Sequence, residues 1–319
     1  MKNILEFIEN SALKYPDKLA VADEEGGLTY GQMERLSRQI GAWIYEKTDG
    51  VRNKPVAVLL DKKPGSVAAY MGVVYSGNFY VVLDAEMPAS RAESILGTLN
   101  PVAVVRPLRS ALRPETSQAY SSRHESILGT LNPVAVVTDI GHMEKALELY
   151  RNGVDEDGCQ GQEGENKEVF RILNLDELDT SADQSVLDAV RSRAIDTDPV
   201  YALFTSGSTG VPKGAVVSHR NVISYTYWYT EAFGIDESTI FGSQTPFYFS
   251  MSVSDLYSTL KNGATLYIIP KAYFTFPMKL MEFMNTYRIN TIYWVPSALQ
   301  IVANYKLFQY AQLPERSEN

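Results

Sequence analysis

The stretch Tyr201–Arg220, YALFTSGSTGVPKGAVVSHR, decides how the rest of this chain is read. Tyr201-Ala-Leu-Phe204 is an apolar run with the pattern of a buried strand, and it breaks into Thr205-Ser-Gly-Ser-Thr-Gly210. Such a segment suits an anion. Gly207 and Gly210 let the backbone turn and come close, the hydroxyls of Thr205, Ser206, Ser208 and Thr209 donate hydrogen bonds, and Lys213 adds positive charge. Phosphate oxygens are the natural guest. A Walker loop needs Gly-x-x-x-x-Gly-Lys-Ser/Thr, whereas here Gly207 is followed five positions on by Pro212, and Lys213 by Gly214. The kinase or ATPase reading therefore fails. A surface linker rich in small polar residues is the competing interpretation. The setting argues against it, because Ala215-Val-Val217 follows as a second strand and Ser218-His-Arg-Asn221 opens a helix.

The segment TSGSTGVPKGAVVSHRN at 205–221 resembles the phosphate-loop signature of the adenylate-forming superfamily, which includes acyl-CoA synthetases and peptide-synthetase adenylation domains. Further matches lie at Leu28-Thr-Tyr-Gly31, Tyr80-Val-Val-Leu-Asp84 with Pro88 and Arg91, Thr245-Pro-Phe-Tyr-Phe249, Leu260-Lys-Asn-Gly-Ala-Thr265 and Trp294-Val-Pro-Ser297. Their order and wording are most similar to amino-acid adenylation domains of the D-alanine carrier-protein ligase branch. The resemblance covers most of the chain outside roughly 106–137 and 151–168.

Composition sets the bounds. The 319 residues, 45% of them hydrophobic, fill one large domain or two ordinary ones. A net charge of −9 disfavours nucleic-acid or anionic-membrane partners, which need a basic footprint. The first ten residues carry Glu6 and Glu9 within their apolar stretch, unlike a secretory signal, and no run approaches the ~18 apolar residues of a membrane span. With one cysteine and three scattered histidines, neither a disulfide nor a thiolate or histidine metal site is expected, and the expected address is cytoplasmic.

Along the chain, strand and helix alternate, which predicts an α/β fold of layered, mostly parallel sheets with flanking helices. Helices are expected near 4–13, from Thr29 to about 47 behind a Thr29/Gln32 capping box, at 66–75, at 181–194 and at 222–233. Strands are expected at 55–60, 79–83, 169–175, 239–244, 265–269 and 290–295. Glu93–Val105 recurs letter for letter as Glu125–Val137, a period of 32 residues. A solenoid needs about three repeats, so a tandem duplication is the better reading, with 106–137 as the insert and one copy supplying the sheet. Residues 151–168 read as a flexible acidic loop, and the chain ends in a polar tail after Leu307.

Adenylate formation joins a carboxylate to the α-phosphate of ATP and expels pyrophosphate, so it calls for donors and cations more than for a nucleophile. The resemblance implies that Thr205, Ser206, Gly207, Ser208, Thr209 and Gly210, with Lys213, hold the β- and γ-phosphates. It also implies an acyl pocket built partly from Phe249, Ser250 and the strand containing Trp294, although core packing is an equally open reading for Phe249 and Trp294. Amino-acid-activating relatives place an aspartate after the phenylalanine to meet the substrate ammonium. Ser250 stands there instead, and Asp255 reads as an exposed helical acid. His219 at a helix start reads as a cap or packing residue, and no catalytic residue is assigned.

In such enzymes the magnesium-binding glutamate and the catalytic lysine of a mobile subdomain lie downstream of a Trp-Val-Pro-Ser strand. Residues 1–319 are therefore expected to form the amino-terminal part of a truncated large AMP-binding domain. Two functional readings stand open. One is an ATP- and Mg2+-dependent ligase that adenylates a small carboxylate, most simply an amino acid, for transfer to a phosphopantetheinyl carrier protein. The other is a catalytically inactive remnant or an interaction protein that retains the fold.

Overall fold

The computed structural model describes residues 1–83, 95, 103–106, 172–175, 178–205 and 213–306. Helix α1, Leu5–Lys14, leads into the hairpin β1, Leu19–Ala22, and β2, Gly27–Thr29. Thr29 then caps α2, Tyr30–Lys47: its hydroxyl accepts from the Gln32 N–H at 3.3 Å, while the Gln32 side chain accepts from the Thr29 N–H at 2.9 Å. This is the capping box expected from the sequence. Strand β3, Pro55–Leu59, helix α3, Pro64–Tyr75, and β4, Phe79–Leu83, follow, and every residue of both strands is buried. Full burial on both faces is what a parallel strand covered by helices requires.

Two sheets result. One has six strands in the order β6-β5-β3-β4-β7-β8, where β5 is Ala103–Arg106, β6 Ile172–Asn174, β7 Pro199–Thr205 and β8 Lys213–Ser218. It is parallel apart from β7 and β8, which pair antiparallel. The other has four strands in the order β2-β1-β10-β9, with β9 at Ile240–Ser243 and β10 at Thr265–Ile268. Here β1, β10 and β9 run parallel, as expected for strands joined through helices.

Helix α3 explains how the sheets meet. Its sequence, PGSVAAYMGVVY, has no charge on any side, and it touches β1 and β2 of one sheet and β3 and β4 of the other. A helix apolar all round belongs inside. Its closest neighbour is α2, where a Cβ at Gly41 would stand 2.6 Å from the Tyr75 Cβ, and one at Gly72 2.6 Å from the Ile40 Cγ2. The two glycines let the helix backbones approach nearer than side chains would permit.

The later elements are α4, Val186–Arg193, α5, His219–Ala232, α6, Ser252–Asn262, α7, Pro277–Thr286, and α8, Pro296–Asn304. Two expectations are corrected. The helix expected to open at Ser181 starts at Val186, because the Ser181 and Ser185 hydroxyls bond to Asp179 and Asp183 in successive local turns. The strand expected at 290–295 is reduced to one parallel bridge between Thr291 and Phe241. Trp294 turns inward there, donating its indole N–H to the Gly242 carbonyl at 2.8 Å.

The first copy of the repeat supplies β5, whose Arg106 pairs with Asn174. The second copy, the acidic loop at 151–168 and the tail after 307 lie outside the described residues. Deleting residues 106–137 joins Val105 to Thr138 and is expected to leave the melting temperature within a few degrees; an unfolded product would show the insert to be structural. Gly41→Ala is expected to cost about 1–3 kcal/mol in urea unfolding by wedging α2 from α3. An unchanged midpoint would mean that the helices can slide apart.

Candidate functional site

Parallel strands put their carboxyl ends on one side of a sheet, and open α/β sheets bind ligands outside those ends. Here two such rims face each other. Lys62, three residues beyond β3, donates from Nζ to the Ser243 carbonyl at 2.9 Å and to its hydroxyl at 3.0 Å, and Ser243 is the last residue of β9. Between the rims lies a cavity of about 370 Å3, walled among others by Lys62, Val82, Gln244, Phe247, Ile268 and Phe274. This volume is in the range of small-molecule sites.

The Lys62 ammonium also sits 5.1 Å from the centre of the Phe247 ring. Behind it, in the first turn of α6, is Asp255, only 1% exposed, with neither carboxylate oxygen hydrogen-bonded among the described residues. The expectation of an exposed acid at 255 is thus overturned: the whole first turn of α6, Ser252–Asp255, is buried. Burial drives the Lys62 pKa down and the Asp255 pKa up, while the mutual attraction of their charges opposes both shifts only in part. The Ser243 hydroxyl also favours the Asp255 carboxylate, and it too is outweighed.

The glycine- and hydroxyl-rich segment begins at the carboxyl end of β7, on the same rim as the ends of β3 and β4. Thr205 and Lys213 face each other as the last paired residues of the β7–β8 ladder. Ser206, Gly207, Ser208, Thr209 and Gly210 lie outside the described residues. Close packing continues at Gly214, where a Cβ would stand 2.7 Å from the Phe204 ring.

The three residues expected around an acyl pocket differ in exposure. Phe249 is 52% exposed and leans on Tyr248 with ring centres 4.6 Å apart; Ser250 is exposed; Trp294 is buried against Phe274 at 5.1 Å. A different aromatic group gathers nearby. Tyr225, Trp228, Tyr229 and Phe233 of the α5 region form a run of ring contacts that reaches Tyr293, and the Tyr225 hydroxyl meets that of Ser254 at 2.7 Å. Its helical spacing was visible in the sequence, but the partner Tyr293 was not.

His219 is a packing residue. It is 3% exposed, and its Nδ1 accepts from the Ile4 N–H at 3.2 Å, which joins α5 to the turn before α1. Burial pushes its pKa from the usual 6.5 down to about 4, against the attraction of Asp198. Sequence reasoning missed Lys62 altogether, since Asp61-Lys62-Lys63 has the composition of an exposed turn. Its one signal is position, directly after a fully apolar strand. Among the described residues no cluster of three or more His, Cys, Asp or Glu could hold a metal, and no helix is long and apolar enough to cross a membrane.

Comparison with known proteins agrees with this architecture. The model of the AMP-binding enzyme family matches residues 8–317. An L-proline--[L-prolyl-carrier protein] ligase from Pseudomonas fluorescens is 28% identical over 303 residues, covering 95% of this chain and 52% of that protein. A D-alanine--D-alanyl carrier protein ligase from Bacillus licheniformis is 27% identical over 317 residues, covering 98% and 52%. The chain spans about half the length of the curated relatives it matches. Among solved structures, the inhibitor-bound amino-terminal domain of FACL13 from Mycobacterium tuberculosis superimposes with a TM-score of 0.70 at 18% identity, covering 98% of this chain and 68% of that one. The peptide synthetase FmoA3 with α-methyl-L-serine-AMP gives 0.68 at 20% identity, covering 95% and 28%. At these identities the structural matches establish the fold.

The buried imidazole carries a pH prediction. Its folded pKa lies below the unfolded one, so the unfolded chain takes up the proton first and stability declines as pH falls from about 6.5 through 4. The loss is at most about 3 kcal/mol. His219→Gln is expected to flatten that part of the acid slope in urea unfolding between pH 7 and 4; parallel slopes would mean that His219 takes up its proton at the same pH in the folded and unfolded states.

Proposed function

The chain belongs to the AMP-binding enzyme family, and on that premise we propose that it carries the nucleotide-binding part of an ATP-dependent carboxylate-adenylating ligase. The observation that carries this reading is the β7–β8 ladder. It holds Thr205 and Lys213 opposite each other at the carboxyl rim, at the two roots of a segment rich in hydroxyls and glycine. The donor set suits a triphosphate: hydroxyls and main-chain N–H groups for the oxygens, and one lysine for their charge.

In the reaction, a carboxylate oxygen forms a bond to the α-phosphorus of ATP, and the bond from that phosphorus to the bridging oxygen of pyrophosphate breaks, its electron pair leaving with pyrophosphate. Thr205, Ser206, Gly207, Ser208, Thr209, Gly210 and Lys213 hold the β- and γ-phosphates and stabilise the charge that gathers on them. The family uses ATP and generally Mg2+. The relatives named for carrier-protein ligation favour a small amino acid as the carboxylate and a carrier-protein thiol as acceptor. Phe249, Ser250 and Trp294 remain assigned to the acyl side of the site. Ser250 leaves an ammonium there without the carboxylate that would pair with it.

Pyrophosphate exchange into ATP, measured over a panel of amino acids and short acids, tests the assignment. Lys213→Ala is expected to lower exchange by roughly 100-fold or more, in line with the loss of a donor to a charge-bearing oxygen. Equal exchange, and equal affinity for ATP, in variant and parent would remove the β7–β8 segment from the phosphate site.

A further inference from the structure

We propose that Lys62 is a nucleophilic amine and that the cavity beside it admits a small apolar aldehyde, which the Lys62 nitrogen takes up covalently as an imine. The wall of this cavity includes neither Thr205 nor Lys213, and the proposal does not rest on the adenylation reading.

Hydrogen bonding around the nitrogen points to its uncharged form. Among the described residues Nζ has two acceptors, the Ser243 carbonyl at 2.9 Å and the Ser243 hydroxyl at 3.0 Å. An ammonium has three protons to place, a neutral amine two. The neutral amine therefore serves both acceptors with both protons, and its lone pair, at the fourth tetrahedral position, is left unengaged. That pair is what attacks a carbonyl carbon. Burial acts in the same direction and holds the Lys62 pKa below the usual lysine range, with the Asp255 charge opposing it in part.

The cavity sets the class of electrophile. Lys62 is one of its wall residues, and Nζ lies 5.1 Å from the ring centre of another, Phe247. Leu60, Val82, Phe247, Ile268 and Phe274 supply apolar surface around about 370 Å3, more than twice the roughly 150 Å3 that takes up benzene. Such walls favour an uncharged guest with an aryl or short alkyl group.

Gln244 provides for the addition step. It follows Ser243 on the same wall, and its side-chain oxygen is buried with no donor among the described residues. A buried acceptor calls for an O–H, which an aldehyde lacks and its adduct has. The Lys62 lone pair forms a bond to the carbonyl carbon, the π pair of the C=O bond moves to oxygen, and one nitrogen proton follows it, giving a hydroxyl that donates to Gln244. The remaining nitrogen pair then forms the C=N bond as the C–O bond breaks, and the oxygen departs with the second nitrogen proton. One amine and one aldehyde thus give one imine and one water, with no oxidant or reductant.

The titratable groups around the nitrogen are Asp255 from α6 and, on the cavity wall, Asp61, Tyr70 from α3, Tyr248 and Lys271. Asp61 and Lys271 are exposed, so water screens their charge. Asp255, 1% exposed, is the group whose charge reaches Lys62. Its carboxylate favours the ammonium, so removing that charge frees the amine at lower pH.

The test incubates the whole chain, without nucleotide, with benzaldehyde and cyanoborohydride, which reduces an imine to a stable secondary amine. Labelled lysines are located by peptide mass mapping between pH 6 and 9. At pH 7 Lys62 is expected to label roughly tenfold or more faster than the exposed lysines, its advantage shrinking towards pH 9 as they too lose their protons. With acetaldehyde, which gains little from the apolar walls, the advantage is expected to fall severalfold. Lys62→Arg is expected to remove the fast site, and Asp255→Asn to raise Lys62 labelling at pH 6 severalfold. Labelling of Lys62 no faster than that of the exposed lysines, or with their pH profile, overturns the proposal; both outcomes are read on the parent chain alone. Because ATP is absent throughout, none of these results bears on adenylation.

Discussion

The fold depends on one packing constraint: helix α3 must be enclosed on all sides. With no charge in twelve residues, it cannot face water, and two sheets and α2 close around it. Enclosure at that density leaves little space for Cβ atoms, which is why Gly41 and Gly72 stand at the α2–α3 crossing. Once α3 is fixed, β3 and β4 at its two ends are fixed too, and so is the direction in which their carboxyl ends point. The position of the site is a consequence of that helix.

Where the rims converge, the protein tolerates charge in its interior. The Lys62 link to Ser243 fastens β3 to β9 across the two sheets, yet its carboxylate counterpart, Asp255, accepts no hydrogen bond from Lys62 among the described residues. Taking two charges out of water with so little compensation is costly, and a hydrophobic pair of equal volume would stabilise the fold better. Other buried hydroxyls are paired: Tyr80 and Tyr257 share a hydroxyl contact of 2.8 Å, and the Tyr30 hydroxyl lies 2.6 Å and 2.8 Å from the Thr259 and Ala264 carbonyls.

Local chemistry was the most legible part of the chain. Thr29 and Gln32 announced the start of α2, and the unbroken apolar runs at 55–59 and 79–83 announced buried parallel strands, because each signal depends on neighbours in sequence alone. The alternation of elements gave the layered α/β class for the same reason. Ser181 failed as a helix start because Asp179 captured its hydroxyl, a competition between equally local partners. Lys62 and Asp255 were illegible for a deeper reason. They are 193 residues apart, and a lysine in a polar tripeptide and an acid in a first helical turn both look like surface until the sheets bring them together. Phe249 and Trp294 share an aromatic identity, but one faces solvent and the other the core, a difference no pattern of hydrophobicity encodes.

The antiparallel pairing of β8 with β7 has a consequence for the energetics of ligand capture. Bringing the two ends of a free segment together costs chain entropy, by about 1.5RT times the logarithm of its length plus a constant. Here the ladder has already closed the ring between Thr205 and Lys213 during folding. A guest arriving between these roots meets a loop whose ends no longer need to be gathered, so more of its contact energy can appear as affinity.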